Sequence, residues 1–234
     1  MQLFQSLESA ARTCTVWQIA LNTARMSGAI SSVAFDVGGV LIHLNYLDGL
    51  KKILSDCDRQ RAVCSEKFFG LIGRDPSMAE YESGHISTRE FFTRFVMQTG
   101  YRGTLEAFRD RWQGIFSENT PMIAFAQEVA RTYAVYAWSN SGEMHFPWIY
   151  ERFPSLQFFK GDAISCFLGA VKPHRAYYER ALAKCGLRAE QVLFVDDRPE
   201  NVEGAREYGI TTVQYTELAE TIAAMRAALN GAKP

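Results

Sequence analysis

Residues 31–41 read S-S-V-A-F-D-V-G-G-V-L. Small and apolar residues lead into a single acid, Asp36, and Gly38 and Gly39 follow before apolar residues resume. A short apolar run rich in β-formers predicts a strand buried on both faces. The glycines predict a tight turn at its carboxyl end, where the backbone comes close to something. Open α/β sheets bind their ligands at that end of their strands, so the acid is placed for function as well as for capping a turn.

Working outward, three further groups of polar residues follow apolar runs or turns. Ser139-Asn140 closes Val135-Tyr136-Ala137-Trp138, Lys172-Pro173 follows Gly169-Ala170-Val171, and Asp196-Asp197 closes Val192-Leu193-Phe194-Val195. The F-D-x-x-G-V-L stretch and these three groups, in this order, resemble the four signatures of the haloacid dehalogenase superfamily. The resemblance runs from about residue 30 to the C-terminus and is strongest to small sugar-phosphatase-type members with a helical cap. It implies an α/β fold: a Rossmann-like parallel sheet with helices on both faces and an inserted α-helical cap. The expected division is a core from 30–43 and 121–234, a cap over 44–120, and an N-terminal extension over 1–25.

Strand and helix patterns alternate in the C-terminal half, as a parallel sheet requires. A strand is expected over Tyr133–Trp138, after a helix that begins at Thr120-Pro121 and runs to about Arg131. Further strands are expected at Val192–Asp196 and Thr211–Gln214. Pro173 is expected to start a helix ending at Gly186, and Pro199 one ending near Gly209. The aromatic-rich stretch 145–159 has the composition of a ligand-stacking surface, but reads better as a helix and a short strand packed on the sheet. Thr216–Leu229 is amphipathic. Between 44 and 120 the pattern is helical throughout: Leu47, Leu50, Ile53 and Leu54 recur at helical spacing. Ser87-Thr88-Arg89-Glu90 is a capping box, and Thr104 caps the next helix.

The resemblance also implies the chemistry. Asp36 would attack phosphorus and form an aspartyl-phosphate that water then hydrolyses. Ser139, Asn140 and Lys172 would bind the transferred phosphoryl group, and Lys172 would keep Asp36 ionised beside other acids. Mg2+, which prefers hard oxygen ligands, would be held by Asp36, the Gly38 carbonyl and Asp197. Asp196 would support this metal site by orienting Asp197, with Asn201 as a further outer group. The implied substrate is a small phosphorylated metabolite.

One departure stands out. Most phosphatases of the superfamily carry a second Asp two residues after the nucleophile, as general acid and base, and here that position is Gly38. Members whose first motif reads D-x-G keep an active phosphatase in view. His43, Glu82 and His85 are the candidates to supply the proton. The alternatives are a 2-haloacid dehalogenase, which shares the Asp nucleophile and needs no metal, and a non-catalytic binding protein on the same fold.

Composition narrows the classes. A formal net charge of -1 argues against a general nucleic-acid binder. The five cysteines are odd in number and lack C-x-x-C spacing, which argues against a disulfide framework or a zinc site and for a reducing, cytoplasmic setting. No apolar run is long enough to cross a bilayer, so no membrane partner is expected. Residues 1–25 carry Arg12 and Arg25 against the lone acid Glu8 and read as a non-essential extension, with Met26 an alternative start.

Overall fold

The computed structural model describes residues 29–45, 51–58 and 76–231. The N-terminal extension, Met26, Leu47, Leu50, Cys14 and Cys64 lie outside the described residues.

Five parallel strands form the main sheet: β1 (Ser32–Phe35), β4 (Ala134–Ser139), β5 (Gly161–Ile164), β6 (Val192–Asp196) and β7 (Thr211–Gln214). Their order is β5-β4-β1-β6-β7, which puts β1 at the centre. Residue alternation explains the unbroken apolar runs. Val33 and Phe35 enter one core with Val135, Ala137, Leu193 and Val195. Ala34 enters the opposite core with Tyr136, Trp138, Val192 and Phe194. Both faces of each central strand are thus covered, and burying each large apolar side chain contributes about 1.5–3 kcal/mol.

The first core is closed by helices α4 (Thr120–Val129), α5 (Phe146–Arg152) and α9 (Leu218–Gly231). The second is closed mainly by α7 (Arg175–Cys185), through Tyr177, Tyr178, Ala181 and Leu182, with Ala205 of α8 (Pro199–Glu207). A one-turn helix, α6 (Ser165–Leu168), follows β5.

Between the first two strands of the main sheet the chain makes a helical excursion. Its described helices include α1 (Pro76–Glu82), α2 (Thr88–Thr99) and α3 (Leu105–Gln113), besides a helical segment over 51–54. They enclose a third core containing Tyr81, Phe91, Phe95, Phe108 and Trp112. Both caps read from the sequence form: Ser87 and Glu90 make the reciprocal capping box, and Thr104 accepts from the Ala107 N–H.

The structure departs from the sequence reading in three places. First, the excursion is not helical throughout. β2 (Ile42–Leu44) and β3 (Phe116–Glu118) pair antiparallel where the chain leaves and re-enters the core. The Asn119 amide ties this ribbon down by donating to the Val40 carbonyl at 2.8 Å. Second, α7 begins at Arg175, because Lys172 and Pro173 lie in a turn whose backbone the Asn140 side chain binds. Third, the aromatic stretch makes α5 and a 3-10 turn, Pro154–Leu156, but no strand; the neighbouring strand β5 begins only at Gly161. Leu156 and Phe153 are buried in the core without extending the sheet.

Candidate active site at the carboxyl end of the sheet

Parallel register explains why residues far apart in sequence meet. Phe35 pairs with Ala137 on one side and Val195 on the other. One residue beyond that row, Asp36 emerges beside Asp196, with Ser139 and Asn140 at the end of β4. Asp36 is 7% exposed and Asp196 wholly buried. The Asp36 N–H donates to the Val195 carbonyl at 2.8 Å, continuing the ladder to the acid itself.

Lys172 closes the arrangement from the turn before α7. Its Nζ lies 3.0 Å from Asp36 Oδ1 and 2.6 Å from Asp196 Oδ2, and it donates to the Trp138 carbonyl at 2.9 Å. Three oxygen acceptors therefore satisfy a buried ammonium, as burial demands. The Lys172 backbone is clamped in turn by Asn140. Asn140 Nδ2 donates to the Lys172 carbonyl at 2.9 Å, and its Oδ1 accepts from the Lys172 N–H at 2.8 Å. The Asn140 side chain thus positions Lys172, a use the sequence does not show. Ser139 is buried at the end of β4.

Asp36, Asp196 and Asp197 bring carboxylate oxygens within 4.8 Å of one another. The two adjacent acids do different work. Asp196 is saturated: besides Lys172, Asn201 Nδ2 donates to both its oxygens, at 2.9 and 3.1 Å, and the Arg198 N–H donates at 2.9 Å. Asp197 is half-buried and its carboxylate stands over Gly39. Gly39 has φ +80°, and a Cβ there would stand 2.3 Å from Asp197 Oδ2, so only glycine fits.

The charges are poised against each other. Burial holds the Asp36 carboxyl well above the usual carboxylate range; Lys172 draws it back, while Asp196 and Asp197 push it further up. Burial and the Asp196 charge likewise raise Asp197, against the pull of Lys172. Burial would lower Lys172, but Asp196 and Asp36 outweigh it and hold the ammonium above its usual value. Three close carboxylates sharing one ammonium leave an excess of negative charge. A hard divalent cation matches that donor set.

A family model described as a haloacid dehalogenase-like hydrolase matches residues 30–209. The chain belongs to that family. A D-ribitol-5-phosphate phosphatase from Bacteroides thetaiotaomicron is 25% identical over 201 residues, covering 79% of this chain and 91% of the relative. A sesquiterpene phosphatase from Aspergillus oryzae is 25% identical over 203 residues, covering 86% and 97%. Among solved structures, a haloacid dehalogenase family enzyme from B. thetaiotaomicron, in complex with magnesium and inorganic phosphate, superposes with a TM-score of 0.70. It is 22% identical and covers 80% of this chain and 94% of that one. An L-2-haloacid dehalogenase from Xanthobacter autotrophicus superposes with a TM-score of 0.61 at 16% identity, covering 88% and 85%. These two likenesses are of fold, shared by proteins of different chemistry.

In this haloacid dehalogenase-like hydrolase a cleft opens between the carboxyl end of the sheet and the helical excursion. It has Gly38 and Asn140 on the sheet side and Tyr81, Glu82, Trp112 and His145 around it. Gly38 does not need a positive φ, and a Cβ there would meet only Leu44, at 3.4 Å. Of the three proton donors considered from sequence, Glu82 lines the cleft. His43 is exposed on β2, and His85 is exposed with its Nδ1 2.6 Å from Ser83 Oγ. His145, not among those three, also lines the cleft, between Trp112 and Phe116.

Cys57, Cys166 and Cys185 are free thiols among the described residues. No helix among the described residues is long and apolar enough to cross a membrane.

Proposed function

We propose that this protein is a magnesium-dependent phosphatase that hydrolyses a small phosphorylated metabolite through an aspartyl-phosphate on Asp36. The observation that carries the reading is the trio Asp36, Asp196 and Asp197 around the Lys172 ammonium at the carboxyl end of the central strand. Family membership and the phosphatase names of both curated relatives support it.

Asp36 is the nucleophile. Its Oδ1 accepts from the Val37 N–H at 2.7 Å and pairs with Lys172, which sets the orientation of the carboxylate before substrate arrives. Lys172 and the end of β4, Ser139 and Asn140, receive the phosphoryl oxygens, and Lys172 balances the charge on Asp36 and Asp196. Asp36, Asp197 and the Gly38 carbonyl would hold the metal. Asp196, held by Asn201 and the Arg198 N–H, keeps Lys172 and its neighbour Asp197 in place. When bound there, magnesium would supply charge neutralisation at the phosphoryl group. The helical excursion acts as a cap that encloses the alcohol part of the substrate.

The test is a phosphate-release screen over phosphosugars, alditol phosphates, prenyl-type monophosphates, nucleotides and short phosphorylated acids, with and without magnesium. Magnesium-dependent release that is lost in Asp36→Asn supports the reading. Metal-independent halide release from 2-haloacids, with no phosphate release, refutes it in favour of a dehalogenase. Binding of phosphate esters without turnover refutes it in favour of a binding protein.

A further inference from the structure

Expelling a simple alkoxide from phosphorus requires a proton for the departing oxygen, and Gly38 has no side chain to give one. The described lining of the cleft contains three titratable side chains: Tyr81, Glu82 and His145. Burial pushes His145 down to about 3, so its imidazole carries no extra proton at neutral pH. Tyr81 is engaged elsewhere. Its hydroxyl accepts from the Met144 N–H at 3.1 Å and lies 3.2 Å from Thr88 Oγ1, and burial pushes it up to about 12. Glu82 remains.

Glu82 is the last residue of α1, and its neighbours on both sides are pinned to the core. Tyr81 reaches the loop after β4 through Met144 and stacks on Phe91 with ring centroids 4.6 Å apart. On the other side, Gly84 presses against α6 so closely that a Cβ would stand 2.2 Å from the Cys166 carbonyl. The turn itself is closed by Ser83 N–H to the Ala79 carbonyl at 2.9 Å and His85 N–H to the Glu80 carbonyl at 2.8 Å. Two anchors on adjoining parts of the core fix the backbone that carries Glu82, whose side chain lines the same cleft as Gly38.

We propose that Glu82, from the helical excursion, is the acid–base residue that replaces the side chain missing at Gly38. The inference rests on the phosphatase reading. In the first half-reaction Asp36 forms a bond to phosphorus, the bond from phosphorus to the ester oxygen breaks, and the Glu82 carboxyl gives its proton to that oxygen, releasing the alcohol. In the second, water attacks phosphorus, Glu82 carboxylate takes the water proton, and the bond from phosphorus to Asp36 breaks. Glu82 ends protonated and Asp36 ionised, as both began.

The surroundings suit this cycle. Burial raises the Glu82 carboxyl to about 7, with Arg198 and Lys172 drawing it back. Cys166 on α6 faces it as a neutral thiol, raised by burial to about 11. Tyr81 and His145 are neutral, and the negative charges of Asp36, Asp196 and Asp197 lie on the sheet side with Lys172. Near neutral pH both protonation states of Glu82 are then populated, as an acid that must also act as a base requires.

The experiment compares wild type, Glu82→Gln, and Glu82→Gln combined with Gly38→Asp. It measures kcat/KM for alkyl and aryl phosphates of graded leaving-group pKa across pH. Wild type should show a shallow dependence on the leaving group and a limb falling above about pH 7, because the acid form is required. Glu82→Gln should lose roughly 10²–10⁴-fold on alkyl phosphates and much less on dinitrophenyl phosphate, and the limb should vanish. Gly38→Asp, which fits beside Leu44, should restore part of the alkyl activity. If Glu82→Gln keeps the wild-type slope and limb while Asp36→Asn is dead, Glu82 is excluded and the phosphatase reading stands. An equal loss on aryl and alkyl esters, unrelieved by Gly38→Asp, would reduce Glu82 to a structural role. Absence of Asp36-dependent turnover in wild type on every ester would overturn both readings.

Discussion

Replacing Lys172 with Met keeps an unbranched side chain, shorter by its terminal nitrogen, and removes the cation shared by Asp36 and Asp196. Carboxylate oxygens of the acid trio lie within 4.8 Å of each other, a separation at which two full charges repel by about 3–4 kcal/mol at an effective dielectric near 20. Breaking a buried ion pair from one side commonly costs about 3–5 kcal/mol, which agrees. For a chain of this size that is a fall in melting temperature of roughly 6–20 °C. The loss should depend on pH in a definite direction. Without Lys172, the folded Asp36 carboxyl, already held above its usual value by burial, rises further and binds a proton more tightly than in the unfolded chain. The deficit is therefore largest above that folded-state pKa and shrinks as pH falls through it. Magnesium should narrow the gap at neutral pH by replacing the lost positive charge. The assay is thermal unfolding of wild type and Lys172→Met across pH, with and without magnesium. A variant melting within about 2 °C of wild type near pH 7.5 without metal, or a deficit that grows on acidification, would refute the reasoning.

Asp36→Asn should abolish turnover and leave the fold intact, read by phosphate release and circular dichroism. Asp197→Ala should raise the magnesium concentration needed for half-maximal activity more than Asp196→Ala does, whereas Asp196→Ala should cost more stability, because Asp196 holds Lys172 and accepts from Asn201 and the Arg198 N–H; paired titrations and melts separate the two. Gly39→Ala should cost about 1–2 kcal/mol for the left-handed backbone alone. It should also weaken magnesium activation, because the new Cβ would displace the Asp197 carboxylate; an unchanged magnesium titration would show that Asp197 has room to move.

The alternation that implies a parallel sheet, and the strands read at Tyr133–Trp138, Val192–Asp196 and Thr211–Gln214, were legible in the sequence because each depends on short-range pattern. An apolar run closed by an acid reads the same wherever it lies in the chain, and the caps at Ser87 and Thr104 need only their neighbours three residues on. The β2–β3 ribbon was not legible, since Ile42–Leu44 and Phe116–Glu118 are three residues each and acquire strand character only by pairing across the whole excursion. Nor was the start of α7 at Arg175, where the turn at Lys172-Pro173 serves the site rather than the helix. The division of labour between Asp196 and Asp197 depends on which acid meets Lys172 and which stands over Gly39. Glu82 shows the limit most plainly. As one of three proton donors that the sequence offered, it was indistinguishable from His43 and His85. Burial, the fixed turn after α1 and the shared cleft with Gly38 separate it from them, and those are properties of chain segments far apart in sequence that the fold brings together. Sequence by itself determined the types of groups and the strand ends that carry them; tertiary structure alone decided which groups face one another, because charge balance and proton transfer depend on distance and burial rather than on order along the chain.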